Sequence, residues 1–271
     1  MTDDVYTGTD GLAVALDGGV LRLRLDRPDK RNAITDPMMA GLIRAVTAAG
    51  TDERVRVIVL DGSGEHFCGG ADIIARNAQG RAKPRTGSIQ RRLPAQAHQL
   101  IPLLVSVQTP VVCAVHGWAA GIGFQLALAA DLTIAVDDAL FWEPFATRGF
   151  TPDSGASWLL PRRVGEVRAR ELLLLGRQLT GAEAAEWGAI YRAVPARDLA
   201  AAVDEVVTQL AAGPTVALGL SKWLLHAGTG LSLEQHLANE AFAMELSSRT
   251  EDFREGMTAF KDRRPPSFEG R

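Results

Sequence analysis

The stretch VVCAVHGWAAGIGFQLALAADLTIAV, residues 111–136, decides the fold. Residues 111–115 are an unbroken apolar run of strand length, the pattern of a strand covered on both faces. A glycine-rich turn from His116 to Gly123 follows, then residues 122–129 read as a buried helix and 132–136 as a second apolar strand. Strand, helix and strand in this rhythm imply a right-handed crossover between parallel strands. The fold class expected is α/β with a mainly parallel sheet.

Toward the N-terminus, residues 55–60 repeat the buried-strand pattern and 96–107 carry a helical one. Residues 12–16 and 20–25, split by Asp17-Gly18-Gly19, read as an antiparallel hairpin. Asp36 followed by Pro37 looks like a helix N-cap and first helical residue, with Met39, Leu42, Ile43 and Val46 recurring at helical spacing. Beyond Asp153 the strand signals fade. Thr180 with Glu183, and Ser232 with Gln235, have capping-box spacing, and apolar periodicity runs through 199–210, 216–225 and 237–260 until Pro265-Pro266. This divides the chain into a core, residues 1–200, and a C-terminal helical region, 201–271, whose exposed apolar faces would suit subunit packing.

With 271 residues, 46% hydrophobic and 23% charged, the chain can bury a large core. Its formal charge of -3 offers no general attraction to nucleic acid. The local basic excess at 76–92 reads either as a solvated loop or as a phosphate-docking segment. The acidic, polar start lacks the pattern of a secretory signal and no apolar run reaches membrane-spanning length, so a cytoplasmic location without membrane partners is expected. Cys68 and Cys113 lack metal or redox spacing and read as buried thiols.

Two glycine-rich segments follow strands: residues 67–73 after the strand ending at Leu60, and 116–123 after the strand ending at Val115. Glycine there lets the backbone turn tightly and approach a ligand, while a following helix leaves its first N–H groups unpaired. Two such N–H groups facing one point would make an oxyanion hole; tight turns alone would also account for the glycines. Neither segment has the spacing of a P-loop or a dinucleotide fingerprint, and no G-x-S-x-G elbow is present. His66, His98, His116, His226 and His236 lack metal-ligand spacing, so no metal is expected.

Four ordered segments carry a resemblance. Leu25-Asp26-Arg27-Pro28 with Asn32-Ala33; Phe67-Cys68-Gly69-Gly70-Ala71-Asp72-Ile73; Ala114-Val115-His116-Gly117 through Gly123 with Ala130-Asp131-Leu132; and Pro152-Asp153-Ser154-Gly155 with Leu160-Pro161-Arg162 resemble the successive signatures of the crotonase (enoyl-CoA hydratase/isomerase) superfamily. The resemblance covers nearly the whole chain. It implies the crotonase-type ββα spiral with a C-terminal helical layer, a homotrimer or homohexamer, and an acyl-CoA substrate. No separate cofactor is implied, because coenzyme A is part of that substrate.

By the same resemblance the oxyanion donors would be the N–H groups of Ala71 and Ile122. Arg27, Lys30, Arg31, Ala33, Gly70, Asp72, Ile73, and Phe260 with Lys261 from the last helix, match positions that hold coenzyme A; Lys30, Arg31 and Lys261 would meet phosphate oxygens. The hydratases carry glutamates at the positions of Gln125 and Phe145. Neither an amide nor a phenyl ring exchanges protons at neutral pH, so that route to hydration is disfavoured. Glu143, two residues before Phe145, would point to the same face only along an unbroken strand, which leaves a hydratase with a non-standard acid/base as an alternative; otherwise it reads as a surface or structural carboxylate. The segment around Asp153, with Gln178-Leu179-Thr180 and Glu186-Trp187-Gly188, is similar to the phenylacetate-pathway isomerase branch, in which one carboxylate at the position of Asp153 moves a proton between C2 and C4. Asp153 therefore has two readings, as that base or as a helix N-cap. Trp118, Trp142, Phe145 and Phe150 form an apolar wall around the acyl group or belong to the core. A non-catalytic acyl-CoA binder is the alternative from another class.

Overall fold

The computed structural model describes residues 5–72 and 85–271. In chain order its elements are β1 (Leu12–Asp17), β2 (Val20–Leu25), α1 (Asp36–Ala49), β3 (Val57–Gly62), α2 (Ser88–Arg92), α3 (Ala97–Ser106), β4 (Val111–Val115), β5 (Trp118–Ala120) and α4 (Ile122–Ala129). They continue with β6 (Leu132–Val136), β7 (Leu140–Trp142), α5 (Ala156–Leu175), β8 (Gln178–Thr180), α6 (Gly181–Glu186), β9 (Arg192–Val194), α7 (Leu199–Ala211), α8 (Thr215–Ala227), α9 (Leu233–Ser247) and α10 (Glu251–Asp262).

The main sheet has the order β1-β2-β3-β4-β6-β9, with the expected hairpin antiparallel at one edge and every other neighbour parallel. Both faces are covered, which is why β3 and β4 are continuous apolar runs. Alternate residues serve different cores: Ile58, Leu60, Cys113 and Val115 pack with α1, α3 and α4, while Val57, Val59, Val112 and Ala114 meet Ala202, Val203, Val206 and Val207 of α7. Thus α7 crosses residue 200 and lies against the sheet. A second sheet, β5-β7-β8, was not expected from the sequence; its strands have three residues each, too few to show a period.

Two local expectations are corrected. The N-cap of α1 is Thr35, whose hydroxyl accepts from the Met38 N–H at 3.4 Å, and Asp36 is already helical. Thr35 has the extended backbone a cap needs, and Pro37 fits the first turn. The apolar period over 237–260 is shared by two helices, α9 and α10, because Thr250 caps the second through the Phe253 N–H at 3.0 Å. Phe242, Met244, Met257 and Phe260 on these helices are exposed. Both cysteines are buried free thiols, and burial pushes Cys68 up to about 12. No helix among the described residues is long and apolar enough to cross a membrane.

An ion pair between buried Lys222 and half-buried Asp131 fastens α8 to the core. Lys222 Nζ lies 2.7 Å from Asp131 Oδ2 and donates to the Leu104 and Thr109 carbonyls, while the same Asp131 oxygen accepts the Val111 N–H. Burial pushes the lysine down and the aspartate up, and the charge of each opposes the other's shift, Arg163 adding to the effect on Asp131. Lys222→Met removes the cation paired with Asp131, whose side chain keeps 30% exposure and has Arg163 nearby, so the expected loss in urea denaturation lies between about 1 kcal/mol, the worth of an exposed pair, and about 3–5 kcal/mol, that of a fully buried one; a loss below about 1 kcal/mol would show the bridge to be ornamental.

Candidate active site

The two glycine-rich segments lie side by side. Phe67 N–H donates to the His116 carbonyl and Cys68 N–H to that of Trp118, each at 2.8 Å, and Ala120 N–H returns to Cys68 O at 2.9 Å. This short parallel ladder sets residues 68–71 against the start of α4. Close approach requires Gly123, where a Cβ would fall 2.7 Å from that of Cys68. Gly70, at φ +108, then turns the chain out of the ladder through backbone space that side chains disfavour.

The turn determines which donors remain unused. Ile34 N–H donates to Gly70 O and Asp72 N–H to Ile34 O, so the bridge skips Ala71, whose N–H has no backbone partner among the described residues. Ile122 is the first residue of α4, so its N–H has no intrahelical acceptor. Both residues line one cleft of about 70 Å³ with Met39, Leu93, Pro144, Phe145, Arg148, Phe150 and Asp153. Phe145 and Phe150 meet edge to face, ring centroids 5.5 Å apart, as one wall. A wider hollow of about 670 Å³ shares Leu93 with the cleft, and its titratable residues are Arg85 and His98.

Asp153 is half-buried, and Ser154 Oγ donates to its Oδ1 at 2.9 Å. Ser154 adopts a left-handed backbone at φ +52, an uncommon conformation that presents this hydroxyl. The cap reading of Asp153 does not describe the contacts: the cap position of α5 is Gly155, with no side-chain cap bond, and it is the main-chain carbonyl of Asp153 that accepts Ala156 N–H. Asp153 itself lines the cleft.

Gln125 and Glu143 were read separately in the sequence and are partners in the fold. Both are fully buried, Gln125 Nε2 donating to Glu143 Oε1 at 2.6 Å, and neither lines the cleft. Glu143 is therefore not a surface group. Burial pushes its carboxyl well above the ordinary range, the Gln125 bond opposes the rise, and the charge of Asp153 adds to it. The signal that could have found this pair is Gln125 itself, a polar side chain in a helix buried all round, which must find a partner inside.

The remaining expected residues spread over the surface around the cleft. Arg27 Nη1 holds Asp72 Oδ2 at 2.9 Å and the Ala33 carbonyl at 2.7 Å, which ties the first motif to the second. Buried Asn32, absent from the expected site, completes that tie by accepting Arg27 N–H and donating to the Ser63 and His66 carbonyls. Lys30 and Arg31 are exposed, and the Arg31 carbonyl accepts Gly69 N–H. Trp118 and Trp142 pack on each other at 5.9 Å, Arg148 stacking over Trp142, and neither tryptophan lines the cleft. Phe260, 82% exposed, and Lys261 sit on the last turn of α10, outside the cleft lining. Ile73 lies outside the described residues.

Comparison with known proteins gives the arrangement a setting. Residues 16–271 match the enoyl-CoA hydratase/isomerase family. The chain is 38% identical over 255 residues to the 1,2-epoxyphenylacetyl-CoA isomerase of Escherichia coli, covering 93% of this chain and 96% of that one. It is 31% identical over 260 residues to the 2,3-dehydroadipyl-CoA hydratase of the same organism, covering 96% and 99%. Among solved structures, an enoyl-CoA hydratase from Polaromonas superposes with a TM-score of 0.88 at 31% identity, covering 95% of this chain and 99% of that one.

Proposed function

The chain belongs to the enoyl-CoA hydratase/isomerase family, with its crotonase-type fold, and from that premise we propose that it shifts a double bond in an enoyl-CoA thioester. The observation that carries this reading is a cleft lined by one acidic residue, Asp153, together with Ala71 and Ile122, whose N–H groups have no backbone partner among the described residues; the positions at which the resemblance puts the hydratase glutamates hold Gln125 and Phe145. Relatives named isomerase and hydratase both match the chain, so the family name leaves the reaction open, and the choice between them rests on the residues.

In the proposed reaction the thioester oxygen accepts from Ala71 and Ile122. Those donors stabilise the negative charge that develops there when a C2 proton leaves. Asp153 takes that proton through the oxygen not held by Ser154, forming a dienolate, and returns it to C4, so the double bond moves from C3 to C2. One carboxylate suffices because it ends as it began. The Phe145–Phe150 wall supports an apolar acyl segment beside the reacting carbons. Lys30, Arg31 and Lys261 are assigned to coenzyme A phosphates. The exposed apolar residues of α9 and α10 support a homo-oligomer of the trimer or hexamer type, with Phe260 and Lys261 reaching a neighbouring subunit's site.

The assay is direct. Purified protein given trans-3-hexenoyl-CoA is expected to yield the 2-enoyl thioester, and given trans-2-hexenoyl-CoA to add water far more slowly. Hydration without isomerisation overturns the reading in favour of a hydratase with a different acid, and tight binding without either reaction leaves a binding protein.

A further inference from the structure

Glu143 is the buried titratable group that this mechanism does not use. Its Oε2 has no hydrogen-bond partner among the described residues, and neither does Gln125 Oε1. The groups facing it are few. From α4 comes Gln125, which is uncharged, and from the loop before α5 comes Asp153, which is negative. On its own segment Arg148 is stacked over Trp142, and Arg177, next to the Gly176 carbonyl that Trp142 bonds, is engaged with Glu171 and Glu183. No cation contacts the carboxyl among the described residues. A buried carboxylate with one hydrogen bond, no counter-ion and a like charge nearby is driven to its neutral form.

The pair also has a place in the architecture. Gln125 stands three residues beyond Ile122 on α4, and its own N–H bonds Gly121 O, the residue before that donor. Glu143 opens the segment that continues through Pro144 and Phe145 in the cleft wall toward Asp153. Apart from this bond, the neighbouring link between the two segments is Gly121 N–H to the Trp142 carbonyl at 2.9 Å.

We propose that Glu143 is kept as a neutral carboxylic acid and acts as a positioning residue, its bond to Gln125 fixing the Ile122 end of the cleft against the wall that carries Phe145 and leads to Asp153. The role rests on the isomerase reading for its catalytic consequence but not for the protonation state. Ionisation of Glu143 leaves the Gln125 N–H bond in place but sets a second, buried negative charge beside Asp153 that opposes the charge developing on the thioester, so turnover falls as pH rises through the elevated Glu143 transition. A raised carboxyl stabilises the fold fully below the unfolded value of 4.5 and loses that contribution as pH rises toward its folded value.

The test compares wild type, Glu143→Gln and Glu143→Ala. With trans-3-hexenoyl-CoA, Glu143→Gln, a permanently neutral isostere, is expected to retain most of the neutral-pH kcat and to lose the alkaline decline shown by wild type. Glu143→Ala is expected to lower kcat by about tenfold or more, with KM nearly constant, as misplacement of a donor does. In thermal unfolding, the margin of Glu143→Gln over wild type should widen from pH 5 to pH 8. The proposal is overturned if glutamine impairs turnover as alanine does, if wild type and Glu143→Gln share one alkaline limb, or if the unfolding margin is independent of pH. An Asp153→Asn variant in the same assay separates the two ideas: full activity there removes the proton-transfer reading, while unfolding still decides the state of Glu143.

Discussion

Asp153→Asn is expected to lower kcat for conversion of the 3-enoyl to the 2-enoyl thioester by about 10²–10⁴, the usual worth of a positioned acid–base group, with KM changing little. Asparagine preserves the shape and can keep the Ser154 hydroxyl as donor to its oxygen, so what is lost is the capacity to carry a proton. The same variant examines the capping alternative. Because the carboxylate makes no cap bond to α5, thermal unfolding of Asp153→Asn should stay close to that of wild type. A kcat within about twofold of wild type would remove Asp153 from the chemistry, and a large loss of stability would restore its reading as a structural group.

The second large effect is at a main-chain atom. Ile122→Pro deletes one N–H at the first position of a helix, where proline's fixed φ is compatible and its missing donor breaks no helical bond. The expected loss is about 10²–10³ in kcat, or about 2.7–4 kcal/mol of transition-state stabilisation. Ile122→Ala supplies the control, since it trims the same buried side chain and keeps the N–H. It should cost folding stability, about 2–5 kcal/mol for a well-packed isoleucine, while leaving far more of kcat than proline does. Equal kcat losses in the two variants would assign the effect to packing and leave no role for the donor.

These expectations show which parts of the molecule were legible in its sequence. Strands β4 and β6 and helix α4 were readable to the residue, because elements buried on all sides leave unbroken apolar runs with polar or glycine borders. The second sheet was not, since β5, β7 and β8 are held by pairing with one another rather than by any pattern within them. Where α9 gives way to α10, the apolar spacing runs on through the break, and the deciding feature is a single threonine cap. In the site, glycines marked the two segments where the chain bends, whereas Ala71 and Ile122 were named within them by the family resemblance alone. The Gln125–Glu143 bond joins a helix to the residue after a three-residue strand, a contact that no local spacing announces. The hydroxyl of Ser154 on Asp153 escaped for a different reason: it depends on a left-handed serine.

That two N–H groups and one carboxylate converge on a thioester is the claim from which the rest follows, and a crystal structure with a bound, unreactive 3-enoyl-CoA analogue tests it most directly. The expected result is a thioester oxygen about 2.7–3.1 Å from both the Ala71 and Ile122 nitrogens, with the Asp153 carboxylate within about 3.5 Å of C2 and C4. A thioester oxygen bound away from those two nitrogens, or an Asp153 carboxylate turned toward the start of α5, would contradict it.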